Sequence, residues 1–385
     1  MHDARTYDRR TTMARSLVSP DDQRVTFVEL FFDLIFVFCV TQVVTLLHAG
    51  VDVRAVGSAV LAFWMVWWAW TQFTWALNAA NTDHPQVQLT TLLATAVAFF
   101  LAIGIPRAFD GGGLGFAVPY VTVRVLGLIA YHQAAAQDAT QRRAVRIFGA
   151  CSALGMAAVL AGGLSGGSSV YWFWSAAIAL DLVAAGIGGQ LEGWNLHPDH
   201  FAERHGLIVI IALGETLIVA AAGLTGTDVT SLAVVTGILA VTVTCGLWWS
   251  YFRHARPVLE RALSALDGGR RSRLARDAFS VLHFPMLCGI IAMAAAVEEA
   301  LAHPDAALPV GGRGLLGIGA MLFVGGTGVA LWRATGRAPV WRFLLPAGVA
   351  AALLGFEATP WRALAVLLAV LVALSLIEAR AKPLQ

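Results

Sequence analysis

Apolar runs of about twenty residues succeed one another along this chain, and a run of that length spans a bilayer core when coiled into a helix. Twelve can be read, at 27–48, 54–77, 88–106, 115–133, 144–162, 170–188, 205–223, 229–252, 278–300, 314–332, 340–356 and 361–378. A soluble domain has no interior large enough for so many. Composition agrees: 58% of the 385 residues are hydrophobic, 13% are charged, and the mean hydropathy is +0.71. These values lie outside the soluble globular range. The expected fold class is all-α, a polytopic integral membrane protein of about twelve transmembrane helices.

Residues 1–26 read as a polar N-terminal arm, 27–190 as a first six-helix half and 191–385 as a second. The first 24 residues lack an apolar h-region, so no cleaved signal is expected. With the N-terminus in the cytoplasm, twenty Arg and Lys fall on the inner side and four, Arg54, Arg107, Arg313 and Arg362, on the outer. That bias predicts a bacterial inner-membrane protein with both termini cytoplasmic. The longest connection, 253–277, reads as an arginine-rich loop. Its segment Arg253 to Arg276 suits anionic lipid head groups and not nucleic acid.

A short internal similarity suggests two parallel repeats. Phe27-Val-Glu29 opens span one and Phe201-Ala-Glu203 opens span seven, while Trp67-Trp-Ala-Trp70 matches Trp248-Trp-Ser-Tyr251.

The chemistry is concentrated in charges inside apolar runs. Glu29 and Asp33 are four residues apart in span one and share a helix face. Glu29 has two readings: a first-turn charge favoured by the helix N-terminus, or a functional group. Asp33 lies a turn deeper, where a carboxylate needs a partner, water or a bundle interior. Arg124 in span four, Asp181 in span six and Glu215 in span seven are buried in the same sense. Arg124 is expected to pair with Asp33, Asp181 or Glu215, and one arginine cannot neutralise all three. The surplus acid is then protonated, hydrated or coupled to an ion. Glu203 reads as a helix-end charge, and Gly214 as a point of close backbone approach. His283 precedes Pro285, where a kink can free a carbonyl.

Other features point to structure. The four cysteines form no CxxC pair and read as small buried hydrophobes. His197, His200 and His205 lack HExxH spacing, so the segment reads as an interfacial helix start with Pro198 early and Trp194 at the head groups, and no metal is expected. Trp64, Trp67, Trp68 and Trp75 share a face and suit aromatic packing better than a ligand cage. No Walker loop, GxSxG elbow or dinucleotide fingerprint occurs, and no cofactor is expected.

Two runs carry a resemblance: Glu29-Leu-Phe-Phe-Asp33-Leu-Ile-Phe-Val-Phe with Thr41-Gln42, and Phe201-Ala-Glu203-Arg204-His205-Gly206 continuing to Ala212-Leu-Gly214-Glu215-Thr216. They resemble the bacterial low temperature requirement protein A (LtrA) family. The resemblance implies an inner-membrane protein linked to growth in the cold. It puts forward Glu29, Asp33, Glu203, Arg204, Gly214 and Glu215 as functional positions without assigning roles. With Arg124 and Asp181 they form the candidate substrate- or ion-binding set. The reading from the residues is a transporter or channel-like protein for an ion or small polar solute. The alternatives are an intramembrane enzyme acting on a lipid-like substrate, which the lack of an Asp-rich prenyl-diphosphate motif disfavours, and a membrane scaffold or sensor.

Overall fold

Each apolar run becomes a helix because lipid cannot satisfy a backbone N–H or C=O, so the segment must satisfy its own. The structure, a computed structural model, describes residues 17–20, 23–47, 50–135, 138–188, 194–225 and 229–380. Among them there is no β-strand, only an isolated bridge between Val18 and Ala80. In chain order the helices are α1 Phe27–Thr45, α2 Val53–Ala79, α3 Pro85–Gly104, α4 Gly113–Ala134, α5 Ala139–Ser165, α6 Ser169–Gly188, α7 Pro198–Leu224, α8 Ser231–Trp249, α9 Arg256–Ser264, α10 Gly268–Leu274, α11 His283–Ala302, α12 Val310–Ala320, α13 Gly326–Thr335, α14 Trp341–Gly355 and α15 Pro360–Arg380.

Among the described residues, eleven continuous helical stretches are long and apolar enough to cross a membrane, and each overlaps one predicted span. The twelfth, α14, has only 15 residues, roughly 22 Å of rise. π turns, with i→i+5 hydrogen bonding, join shorter helices into longer rods: Ser250–Ala255 joins α8 to α9, Ala275–Val281 joins α10 to α11, and Met321–Gly325 joins α12 to α13. The expected loop 253–277 is therefore corrected. It is helical except at residues 265–267, because both flanking spans continue past their apolar windows.

The chain gathers into two compact units. The first comprises the described residues of Met1–Gln42, Leu61–Arg204 and Leu266–Arg273. Here α3 to α6 pack in sequence order. At Gly104 a Cβ would stand 2.7 Å from the Gly115 carbonyl oxygen, so α3 and α4 meet backbone to backbone. The end of α2 is closed from the N-terminal side: Ser19 N–H donates to the Ala79 carbonyl (3.1 Å) and Gln23 Nε2 to that of Leu77 (2.9 Å). These are carbonyls a helix end leaves unpaired.

The second unit comprises Val43–Val60, His205–Ala265 and Leu274–Gln385. In it α11 packs on α12, where a Cβ at Gly289 would lie 2.6 Å from the Gly319 oxygen. Arg342 is fully buried and ties α14 to α15 through Glu378 (2.6 and 3.0 Å). Arg313, expected in an outer connection, is instead buried in α12, where its guanidinium donates to the Leu353 and Phe356 carbonyls at the end of α14. In the π turn before α11, Leu282 N–H goes to Asp277 O (3.1 Å) and not to Ala278 O. That freed carbonyl accepts from His283 Nδ1 (2.9 Å).

The polarity of the helix faces is that of a membrane protein. On α1 the inward stripe is Glu29, Phe32, Asp33, Phe36 and Cys39, while Phe31 and Leu34 face outward. The outward faces of α3, α6 and α8 likewise carry Phe100, Trp172 and Ile238. Apolar side chains outside and ionic groups inside suit lipid as the solvent. The expectation of four buried cysteines is corrected: Cys39 is buried, Cys151 and Cys288 are intermediate, and Cys245 is exposed among outward apolar residues. The residues read as repeats have unlike surroundings. Phe27 is 90% exposed where Phe201 is buried, and Trp248 and Trp249 are exposed where Trp67 and Trp68 are buried.

Candidate functional site

The first unit holds two buried ionic clusters. One is built on α1, α2 and the first turns of α7. Thr26-Phe-Val-Glu29 is a capping pattern, Thr before the helix and Glu three residues later. Glu29 Oε2 accordingly accepts from the Thr26 N–H and hydroxyl, both at 2.9 Å. Its other oxygen, Oε1, accepts from Arg204 Nη1 at 2.7 Å, and His200 Nε2 lies 3.0 Å from Oε1 and hydrogen-bonds to Oε2 at 3.3 Å. Glu29 thus caps α1, in keeping with its reading as a first-turn charge, and also belongs to an ion cluster with no side-chain exposure.

Asp33, one turn on, accepts at Oδ1 from Arg204 Nη2 (2.6 Å) and from the Trp70 indole N–H (2.8 Å). Arg204 therefore bridges the two carboxylates, with its guanidinium 5.6 Å from the centre of the Trp70 ring. Among the described residues, Asp33 Oδ2 is buried and has no hydrogen-bond partner, and the same is true of Arg204 Nε.

The His200 tautomer follows from its neighbours. Asn78 Oδ1 accepts from the His197 N–H (2.8 Å) and Asn78 Nδ2 donates to the His197 carbonyl (3.1 Å), which fixes the amide. Nδ2 must then donate to His200 Nδ1 (2.9 Å), so the ring proton is on Nε2, facing Glu29. With His200 neutral, two carboxylates face one guanidinium, and the cluster carries one unmatched negative charge.

The second cluster is balanced. Arg124 on α4 makes a two-pronged contact with Asp181 on α6, at 3.1 and 3.3 Å. Tyr120 accepts from Arg124 Nη1, and Gln72 accepts from Nε. Gln72 Nε2 in turn donates to the Arg124 carbonyl at 2.8 Å. Every nitrogen of this guanidinium is engaged, the strong form of an arginine-carboxylate pair.

Of the predicted set, the structure brings together Glu29, Asp33 and Arg204 in one place and Arg124 and Asp181 in another. Glu203 is half-buried and stays out of both clusters. Glu215 is buried in the second unit. At Gly214 a Cβ would meet nothing within 4 Å, so the expected close backbone approach is corrected. The expectation of one arginine for three acids also changes. Arg204, counted on the inner side by charge bias, is fully buried and serves Asp33, one of the three, together with Glu29.

Sequence reading missed Trp70, Asn78 and Gln72 as partners and weighed His200 only as a metal ligand. A polar residue within an apolar run was the available signal for Gln72 and Asn78. The tryptophans pack as expected: Trp64 stacks on Trp68 (5.3 Å) and Trp67 on Trp70 (5.0 Å), while Trp75 meets Trp194 and Phe201.

No solved structure matches this chain. It is similar to the uncharacterized protein RA0937 of Rhizobium meliloti (strain 1021), 28% identical over 293 residues, which cover 74% of this chain and 71% of that one. The model of the family described as bacterial low temperature requirement A protein (LtrA) matches residues 24–376, from the arginine before α1 almost to the end of α15, and takes in both ionic clusters. The chain is a multi-pass membrane protein and belongs to the bacterial low temperature requirement A family.

Proposed function

We propose that this protein is a transporter or channel-like protein for an ion or small polar solute, coupled to protons or cations through Asp33. One observation carries the reading: Asp33 Oδ2 is buried without a partner, in a cluster one carboxylate richer than its cation. A structural ion pair in lipid tends toward full pairing, because each unpaired charge costs about 2.5–3.5 kcal/mol at the helix centre even on the mildest scales. An oxygen left open at that depth is suited to take up and release a proton or a passing donor group. The Arg124–Asp181 pair has no such opening and serves to hold α4 and α6 in register.

The proposal places the protein in the inner membrane with both termini cytoplasmic, supported by the arginine bias. The helical segment Arg253 to Arg276 would then meet anionic lipid on the cytoplasmic side. Efficient labelling of an Arg261→Cys variant from outside intact cells would reverse this orientation.

The test of transport is flux in reconstituted vesicles. Asp33→Asn keeps the acceptors for Trp70 and Arg204 and removes the titrating oxygen. It should fold as wild type and lower pH-dependent flux roughly tenfold or more. Wild-type flux and pH dependence in this variant would make Asp33 structural. A wild type that moves neither protons, monovalent cations nor small polar solutes would end the transport reading in favour of an enzyme or scaffold.

A further inference from the structure

The first unit contains a cavity of about 440 Å³ beside the start of α7, lined by Arg24, His197, Asp199, His200 and Glu203 among others. His200 forms part of this wall, yet only 1% of its surface is exposed. On the other side its Nε2 lies 3.0 Å from Glu29 Oε1. One imidazole therefore separates a polar cavity from the buried carboxylates. We infer that His200 passes protons between this cavity and the Glu29–Asp33–Arg204 cluster, which makes the cavity the aqueous mouth of that site. The inference rests on the transport reading and names the ion as a proton.

The step balances within the groups present. An O–H bond of a hydronium ion in the cavity breaks, leaving water, and its proton bonds to His200 Nδ1 as the Nε2–H bond breaks and that proton forms an O–H bond on Glu29. The imidazole ends neutral, as the other tautomer. The proton cancels the one unmatched negative charge of the cluster, and the reverse transfer releases it. Asn78 stands against Nδ1 at 2.9 Å and must move aside for the transfer, so it acts as a latch. The charged and titratable groups around His200 are Glu29 on α1, Asp199, Glu203 and Arg204 on its own helix, and His197 and Arg24 at the cavity. Among these, His200 is the group that both lines the cavity and touches Glu29. A histidine that merely supports Glu29 would need only the Nε2–H. Placement on the cavity wall, with Nδ1 held by a side chain and not by backbone, is what a relay requires.

Chemical rescue tests this in the full-length protein, reconstituted in vesicles with a trapped pH dye. His200→Ala should lower proton flux roughly tenfold or more, and free imidazole should restore a large part of it. His200→Gln retains a donor for Glu29 but cannot relay, so it should fold as wild type and remain slow. Wild-type flux in His200→Gln, or a slow His200→Ala that imidazole leaves unchanged, overturns the relay. If His200→Ala does not fold, the glutamine variant alone decides. Asp33→Asn separates the two ideas: if it is dead while His200→Gln is fully active, the relay fails and the transport reading stands.

Discussion

The two ionic clusters of the first unit use similar residues to opposite ends. Arg124 meets one carboxylate, and all three of its nitrogens are engaged. Arg204 meets two carboxylates, its Nε is unengaged, and one Asp33 oxygen is open. Their α2 partners, Gln72 and Trp70, are two residues apart, about 200° around a helix, so the clusters lie on nearly opposite sides of α2. They are separate sites and not the walls of one cavity. The lesson is about balance: equal charges with full pairing make a fastener, whereas an excess charge with an open atom makes a site with somewhere to put a proton.

Removing each arginine should break this comparison most sharply. Taking one partner from a buried pair costs about 3–5 kcal/mol, and Arg204→Leu strands two acids where Arg124→Leu strands one. Folded yield from detergent extraction should therefore fall further for Arg204→Leu. The double change Arg124→Leu with Asp181→Leu should recover most of the loss, because a balanced pair can be replaced by apolar groups. Arg204→Leu with Asp33→Leu should not recover, since Glu29 remains unpaired. Equal losses for the two single variants, or no recovery in the first double variant, would show that charge balance is not what distinguishes the clusters.

A smaller effect sharpens the contrast from a different side. Gly214 belongs to the same family-like run as Arg204 but has no neighbour within reach of a Cβ. Gly214→Ala should change the unfolding midpoint by no more than about 0.5 kcal/mol would, as for substitutions away from packed or ionic sites. Flux should be unchanged. A clear loss in either measurement would give Gly214 a role that its surroundings do not suggest.

Much of this architecture was legible in the chain because it is local. Each span announces itself within its own twenty residues, and eleven stretches long enough to cross, plus the short α14, coincide with the twelve runs. The first-turn position of Glu29 was visible for the same reason, whereas the carbonyl that His283 takes up is that of Ala278, freed by a π turn and not by Pro285. Pairing was not. Glu29 and Arg204 are 175 residues apart in sequence, and Asp33 and Arg204 are 171 apart. An arginine seven residues into an apolar helix looks the same whether it faces head groups or an acid. Charge bias assigned Arg204 and Arg313 to connections, and packing buried both.

The sequence by itself determined that this is an all-helical, multi-pass membrane protein with carboxylates inside its spans, because the transfer of apolar and charged groups into lipid depends on composition alone. Tertiary structure decided which charge meets which. It gave Asp181 a complete partner, left Asp33 with an open oxygen, and set His200 between Glu29 and a cavity. Those outcomes depend on how helices far apart in the chain rotate against one another, and an ångström or a turn of helix changes the partner without changing the hydrophobic pattern.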